Sequence, residues 1–386
     1  MAKKRKKKRE LKVILVALCS VAIILAILIG YLWRLEKEVS PLPYEEVYAT
    51  SRRLSRDIRL VDKAISDGFY AVGVPPEHIV FLSVIPRHKQ GFHWDFNSIK
   101  ATIPKGDSLV RVSDEIKSRI GTLSIPVEIA EVKHSPGEIT YHIYCNGLFT
   151  HRLNLVGDGI PLPYRLSRPK IGIIIDDLGY DSSLANAFIE LDTPLTLSIL
   201  PFTPHSRAIA QRAWHVGREA MLHLPMEPIN YPSVNPGDGV LLLSMDKETI
   251  LEVLNDDLKQ TPFVVGVNNH MGSRFTENEE KMAIVLEELK EKNLYFVDSR
   301  TNSGSVAFKT AQNMALKAAK RDIFLDNELS ENALKIQMER LLSVARHKGR
   351  AIGIGHPHQE TLSLLKKYQS TFIHETEVVP ISSLVN

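Results

Sequence analysis

From Lys170 onward, short apolar segments alternate with amphipathic stretches, and this alternation constrains the fold more than any other feature of the chain. The apolar segments are KIGIIID, LTLSIL, EAMLHL, FVVGVNN, LYFVDS, DIFLD, AIGIG and EVVPI. Stretches with helical spacing separate them, notably ENEEKMAIVLEELKEKN and SENALKIQMERLLSVARHKG. Strands that are apolar on both faces, each followed by a helix, belong in a parallel sheet covered by helices. Seven or eight such units over residues 170–386 predict a (β/α) barrel rather than an open doubly wound sheet. No glycine-rich phosphate fingerprint follows the first strand, where Asp177-Leu178-Gly179 stands instead, so a nucleotide site is not expected.

The other end of the chain has a different texture. Residues 1–12 carry eight Lys or Arg and one Glu, a charge of +7 in a chain of net +3, which leaves −4 for the rest. The folded part therefore has no global basic field, and nucleic-acid binding is not expected. The uncharged run from Val13 to Trp33 has 21 residues, and at about 1.5 Å per residue it spans a bilayer core of about 30 Å. It ends in Tyr31, Trp33 and Arg34, which suit a membrane interface and predict an uncleaved anchor. A cleaved signal sequence is the alternative. In either case the basic tail stays cytoplasmic, and the main body is expected to be periplasmic or extracellular. Cys19 lies in the apolar run and Cys145 stands apart from it, so no intrachain disulfide is expected to brace the exported part.

Residues 34–44 read as a stalk, and residues 45–156 as a small α+β domain. In that domain EEVYATSRRLSRDIRLVDKAISDG and SLVRVSDEIKSRIG are helical, while IVFLSVIP, SIPVEIAEV and EITYHIYCNGLFTHRLNLV are strands. Asn146-Gly147 predicts a two-residue hairpin turn, since both residue types tolerate positive φ. Arg52, Arg53 and Arg56 are expected on a solvated helix face. The segment 157–169, with three prolines and two glycines, reads as a linker.

In parallel β/α folds the reactive groups gather at the carboxyl ends of strands. Here those ends carry Asp176-Asp177, Pro201, His223 followed by Glu227, Asn269-His270, Asp298, Asp326 and His356. Each has an ordinary reading when taken alone: the acidic pair as a helix cap, His223 as a hydrogen-bonded core residue, Glu227 as a loop acid, His358 as a cap for the next helix. Together, carboxylates and imidazoles at one mouth suit zinc or another divalent first-row metal. Two adjacent carboxylates at a strand end are expected to point to different sides, one for metal and one as a base.

These residues carry a resemblance. Residues 170–386 resemble the divergent polysaccharide deacetylase family, a branch of the carbohydrate esterases with a distorted β/α barrel. IIIDDLG is similar to the first motif, which implies Asp176 as general base and Asp177 as metal ligand. GREAMLH is similar to the second, in which a histidine and another four residues on bind metal. His223 matches the first of these, and Glu227 stands at the second, so the missing imidazole is expected from His270 or its place taken by Glu227. IGIGH resembles the last motif and implies His356 as general acid. Asp298 falls at an acidic supporting position, with Arg274 or Arg300 in place of the family's arginine; its arginine-proline-proline motif is absent. Asn269 and His358 join Asp298 and the two arginines as expected substrate or supporting contacts.

The resemblance implies metal-assisted removal of acetyl groups from a polysaccharide or peptidoglycan-type glycan. Two other readings fit the same residues: a catalytically weak glycan-binding or envelope-assembly protein, and a glycosidase using Asp176 and Asp298.

Overall fold

The computed structural model describes residues 49–89, 91–104, 108–157 and 168–386, all within one compact unit, Pro43–Asn386. The expected tail 1–12, anchor 13–33 and stalk 34–44 lie outside the described residues, as do positions 158–167 of the linker. Among the described residues no helix is long and apolar enough to cross a membrane.

The N-terminal part is a five-stranded sheet packed on two helices. Its strands are β1 (Ile79–Lys89), β2 (Phe92–Thr102), β3 (Val127–Ser135), β4 (Glu138–Cys145) and β5 (Leu148–Val156), in the order β1-β2-β5-β4-β3. The pair β2–β5 is parallel and the other pairs are antiparallel. β4 and β5 meet at Asn146-Gly147, whose φ values of 51° and 74° are those of a primed hairpin turn. Helix α1 (Ala49–Ala71) buries Leu54, Ile58, Val61, Ile65 and Phe69, an i, i+4, i+7 stripe against the sheet. Helix α2 (Leu109–Gly121) crosses α1 closely at Gly68, where a Cβ would lie 2.7 Å from the Ile116 side chain. Strand β2 had no clear periodic signature, because FHWDFNSIKAT interleaves polar and aromatic residues on a strand mostly buried on both faces.

The C-terminal part is a curled parallel sheet with helices. Its strands are β6 (Lys170–Leu178), β7 (Thr196–Ile199), β8 (Glu219–Met226), β9 (Gly266–Met271), β10 (Tyr295–Asp298), β11 (Ala318–Lys320), β12 (Ile323–Phe324) and β13 (Arg350–Gly355). They lie in the order β11-β10-β9-β8-β7-β6-β13-β12, with β14 (Glu377–Val378) also pairing β6. Every pair is parallel, and Ile171, Ile173, Ile174 and Ile175 of β6 are fully buried, as a sheet covered on both faces requires.

The curled sheet is consistent with the expected (β/α) barrel, though among the described residues it is not closed. Among the described residues no ladder joins β11 to β12. Only Arg321-Asp322 separates these very short strands, and those two amides bond elsewhere, to the Asp298 and Ile352 carbonyls. The free edge of β11 is covered instead by Asn386, which exchanges two backbone bonds with Ala318. Strand β11 itself was not expected, since AAK is too short and too plain to register as periodic.

The two sheets meet along β1 and helix α8 (Glu331–Lys348). There the Phe81 amide donates to Ser343 Oγ at 2.9 Å, and the Arg340 guanidinium pairs with Asp62 of α1.

Candidate metal centre

Asp176 and Asp177 end β6 at an irregularity in its pairing with β7, between Ile175 and Leu178. Asp177 has φ 55°, an uncommon value for a residue with a Cβ and one that clusters at functional sites. The chain then turns through Gly179, where a Cβ would lie 1.9 Å from Thr203 Oγ1, so glycine is required. The bulge overturns the expectation that the two carboxylates face opposite sides. Both approach His223 Nε2, Asp177 Oδ1 at 2.9 Å and Asp176 Oδ2 at 3.8 Å. Neither caps a helix: that role falls to Asp181, which accepts from the Ser183 and Leu184 amides.

His223 comes from β8 and His270 from β9. His270 Nδ1 stands 2.9 Å from Asp177 Oδ1 and 3.1 Å from His223 Nε2. Asp177, His223 and His270 are all about 98% buried or more. Three ligand atoms thus form a tight triangle, the sole such cluster among the described residues. Though the contacts are of hydrogen-bond length, neither Asp177 oxygen has an aligned donor among the described residues, and His270 Nε2 also lacks a partner. A carboxylate that faces two imidazole nitrogens without an aligned donor has lone pairs that a cation can take. Ligand atoms about 2.0–2.2 Å from a tetrahedral zinc stand roughly 3.3 Å apart, close to the spacing here. The donor set therefore fits a divalent metal.

Asn268, two residues before His270 on the same face of β9, organises the site. Its Oδ1 accepts from Ser198 Oγ at 2.6 Å and meets His223 Nδ1 at 2.9 Å, while its Nδ2 donates to Asp176 Oδ1 at 2.8 Å and to Ser299 Oγ at 3.1 Å. With Oδ1 an acceptor, His223 Nδ1 carries the proton and its Nε2 presents a lone pair to the metal position.

On the opposite flank His356 ends β13. Its Nδ1 meets Asp326 Oδ1 at 2.8 Å, its amide donates to Asp326 Oδ2 at 2.6 Å, and its Nε2 lies 4.0 Å from Asp177 Oδ2. Thr361 also donates to Asp326, so the carboxylate is held from three directions.

The electrostatics separate the four groups. Burial pushes the Asp176 carboxyl above the ordinary carboxylate range, and His223 and His356 offset it only in part. Burial acts upward on Asp177 too, but His270 and His223 outweigh it and hold that carboxyl well below the usual range. Burial opposes a charge on His223, yet Asp176 and Asp177 raise its pKa. Burial of Asp326 is likewise outweighed by His356, and its pKa is lowered. A carboxylate held ionised between imidazoles is a place where a cation replaces protons.

The remaining expected residues lie outside the triangle. Glu227 is corrected as a ligand: its Oε2 accepts the Leu243 amide at 2.6 Å and its Oε1 takes Arg274 Nη1 at 2.7 Å, so it clamps loops. Pro225 between His223 and Glu227 keeps the chain extended, and the pair never shares a helical face. Arg274 is accordingly occupied by Glu227 and half exposed. Asn269 points away from His270 and bonds only backbone, donating to the Met271 carbonyl and accepting from the Ser299 amide. Asp298 is an internal brace that accepts from the Arg300 amide, Ser305 Oγ and the Phe308 amide. Arg300 faces a separate cavity. His358 precedes helix α9 (Gln359–Glu375) without a side-chain cap bond, its ring 6.4 Å from that of His356. Asn268 and Asp326 carry more of the architecture than the sequence suggested. Period-two alternation from His270 was the signal for Asn268, whereas the pairing of Asp326 with His356 spans 30 residues and left none.

The sequence profile of the divergent polysaccharide deacetylases matches residues 173–385. The uncharacterized protein YibQ of Escherichia coli K12 is 34% identical over 217 residues, which cover 56% of this chain and 67% of that protein. An uncharacterized Haemophilus influenzae protein is 32% identical over 221 residues, covering 57% of this chain and 78% of its own. A crystal structure of an uncharacterized Agrobacterium tumefaciens C58 protein superimposes with a TM-score of 0.55 at 25% identity, over 58% of this chain and 92% of that one. With more than half its length matched, and with paired aspartates and histidines at the sheet's carboxyl edge, the chain belongs to the divergent polysaccharide deacetylase family.

Proposed function

We propose that this protein is a metal-dependent hydrolase that removes acetyl groups from a cell-envelope or extracellular glycan. One observation carries the reading: Asp177, His223 and His270 converge, with both Asp177 oxygens lacking an aligned donor among the described residues, while a second carboxylate and a carboxylate-backed histidine flank them. Three protein ligands with a further position open are the pattern of catalytic rather than structural zinc sites. Zinc is the cation we assign, on the strength of one carboxylate and two imidazoles. When bound, it supplies Lewis acidity toward an acetyl carbonyl and toward the attacking water.

The chain's own groups do the rest. Asp176, held by Asn268, accepts the proton of the water. His356 donates a proton to the departing amine or alkoxide, and Asp326 fixes its ring and stabilises its charged form. Asn268 keeps His223 in the ligating tautomer. The body is placed outside the cytoplasm, tethered by the apolar run Val13–Trp33 behind its basic tail.

The test is acetate release from N-acetylated chitooligosaccharides and peptidoglycan fragments, before and after chelation. Activity should vanish on chelation and return with zinc. His356→Gln should lower kcat by about 10²–10⁴ and leave the metal content unchanged. Acetate release indifferent to chelation would remove the mechanism.

A further inference from the structure

Between the five-stranded sheet's helix α1 and the carboxyl edge of the larger sheet lies a cavity of about 950 Å³. That is within the range of small-ligand sites, about 300–1,000 Å³. Its walls are unusually basic: seven arginines face it, against the carboxylates of Asp62, Asp95 and Glu328. Helix α1 contributes Arg53, Arg56 and Arg59, spaced three apart and so on one face. The sequence predicted a solvated face at Arg53 and Arg56; both are exposed, and both open onto this cavity. Strand β1 adds Arg87, whose pKa is lowered by burial and by the nearby Arg152. Arg300, Arg321 and Arg340 complete it from the larger sheet's side.

Two of the acids are already engaged, Glu328 by Arg59 and Asp62 by Arg340. Arg340 is 3% exposed, and its Nε has no hydrogen-bond partner among the described residues. A buried guanidinium N–H without an acceptor, in a wall with more cations than anions, calls for an anion.

The cavity also adjoins the metal centre. Phe324 lines it, lies under the Arg321 guanidinium at 3.6 Å, and stacks on the His356 ring at 6.0 Å between centroids. Arg321 Nε donates to the carbonyl of Ser299, whose hydroxyl meets Asn268.

We propose that the cavity binds an anionic group, a carboxylate or a phosphate, on the same glycan whose acetyl group enters the metal centre. The N-terminal α+β part thereby acts as a specificity element that selects acidic glycans. This rests on the deacetylase reading above for its reaction, though not for its binding.

The experiment measures binding to the full-length, zinc-loaded chain by calorimetry. The probes are neutral N-acetylchitotetraose, a tetrasaccharide of equal length bearing muramic carboxylates, and one bearing sugar phosphates. An acidic probe should bind at least about tenfold tighter, the return of one charge-assisted contact. Whichever acidic probe shows the larger preference identifies the source of the anion. The preference should shrink between about 0.1 M and about 1 M salt, as the screening length contracts from about 10 Å to about 3 Å. Arg53→Glu with Arg56→Glu should abolish it with metal content and melting temperature unchanged, and Arg53→Gln with Arg56→Gln should weaken it in part. Equal affinity for neutral and acidic probes, or a preference that survives charge reversal, overturns the inference. A selective affinity without acetate release from any probe would sink the deacetylase reading and leave this one standing.

Discussion

Among the described residues, a buried aspartate–histidine cluster in the N-terminal part and another in the C-terminal part differ in a way that separates structure from chemistry. In the N-terminal part Asp62 receives Asn97 Nδ2 at 3.3 Å and His151 Nε2 at 2.9 Å, and pairs with Arg340. His151 is tied at its other nitrogen to Thr150 Oγ1, 2.8 Å away. In the C-terminal part Asp177 also has two imidazole nitrogens at 2.9 Å, yet among the described residues neither oxygen has an aligned donor. Burial is nearly the same for both carboxylates, and both are held below their ordinary pKa. What differs is satisfaction. Three protein groups engage Asp62 Oδ1 and fasten α1 to α8, whereas among the described residues neither Asp177 oxygen has an aligned donor.

The largest effect should come from breaking the unsatisfied cluster. Asp177→Asn should cost more than about 100-fold in metal affinity, since the loss of a mere outer partner already costs about 10–100-fold. Elemental analysis of the purified variant reads this directly, and full metal occupancy would refute the ligand role. Its melting temperature should fall as well, because the two imidazoles that hold Asp177 ionised lose their partner.

The saturated cluster should behave in the opposite sense. Asp62→Ala leaves the Arg340 charge buried and should cost about 3–5 kcal/mol of stability, with metal content intact. Thermal or denaturant unfolding measures it, and an unchanged midpoint would make the cluster ornamental. The sign with pH follows from the depressed pKa. Burial acts upward on Asp62, but Arg340 and His151 bring it from 3.8 down to about 2. The stabilisation is therefore complete above pH 3.8 and is lost as pH falls toward about 2.

A third buried carboxylate sharpens the contrast, with the smallest expected effect. Asp257, in helix α5 (Lys247–Gln260), has no hydrogen-bond partner among the described residues, and burial pushes its pKa up to about 9. The close approach of Gly239 (φ 80°), where a Cβ would lie 2.1 Å from Asp257 Oδ1, encloses it. Because the folded pKa is raised, stability declines as pH rises from 3.8 toward about 9. Asp257→Asn should flatten that decline and raise the melting temperature at mildly alkaline pH, by about 2–4 °C for each kcal/mol recovered. Parallel pH curves for variant and wild type would show that Asp257 is solvated.

Much of this was legible in the chain, and the part that was not has a common cause. Period-two and 3.6-residue patterns report burial on a single element, so the runs beginning at Lys170 disclosed a parallel sheet and its carboxyl ends. Asn146-Gly147 disclosed its hairpin for the same local reason. Asp176, Asp177, His223, His270 and His356 were readable as strand-end groups, and a family resemblance gave them roles. Which of them converge was not local. Strand order brings β6, β8 and β9 to one edge, with β7 between them supplying Ser198 to Asn268. A bulge at β6 and a positive φ at Asp177 then turn a carboxylate that ideal alternation would have aimed elsewhere. The sequence favours His270 over Glu227 as the further ligand without settling the choice. Only the fold decides between them, by giving Glu227 to Leu243 and Arg274 and leaving the lone pairs of His270 beside Asp177. The sequence by itself thus determined most of the elements, though not β2 or β11, and which chemistry sits at their ends. Hydrogen-bond satisfaction across distant segments, which only the tertiary structure settles, decided which of those groups remain available to act.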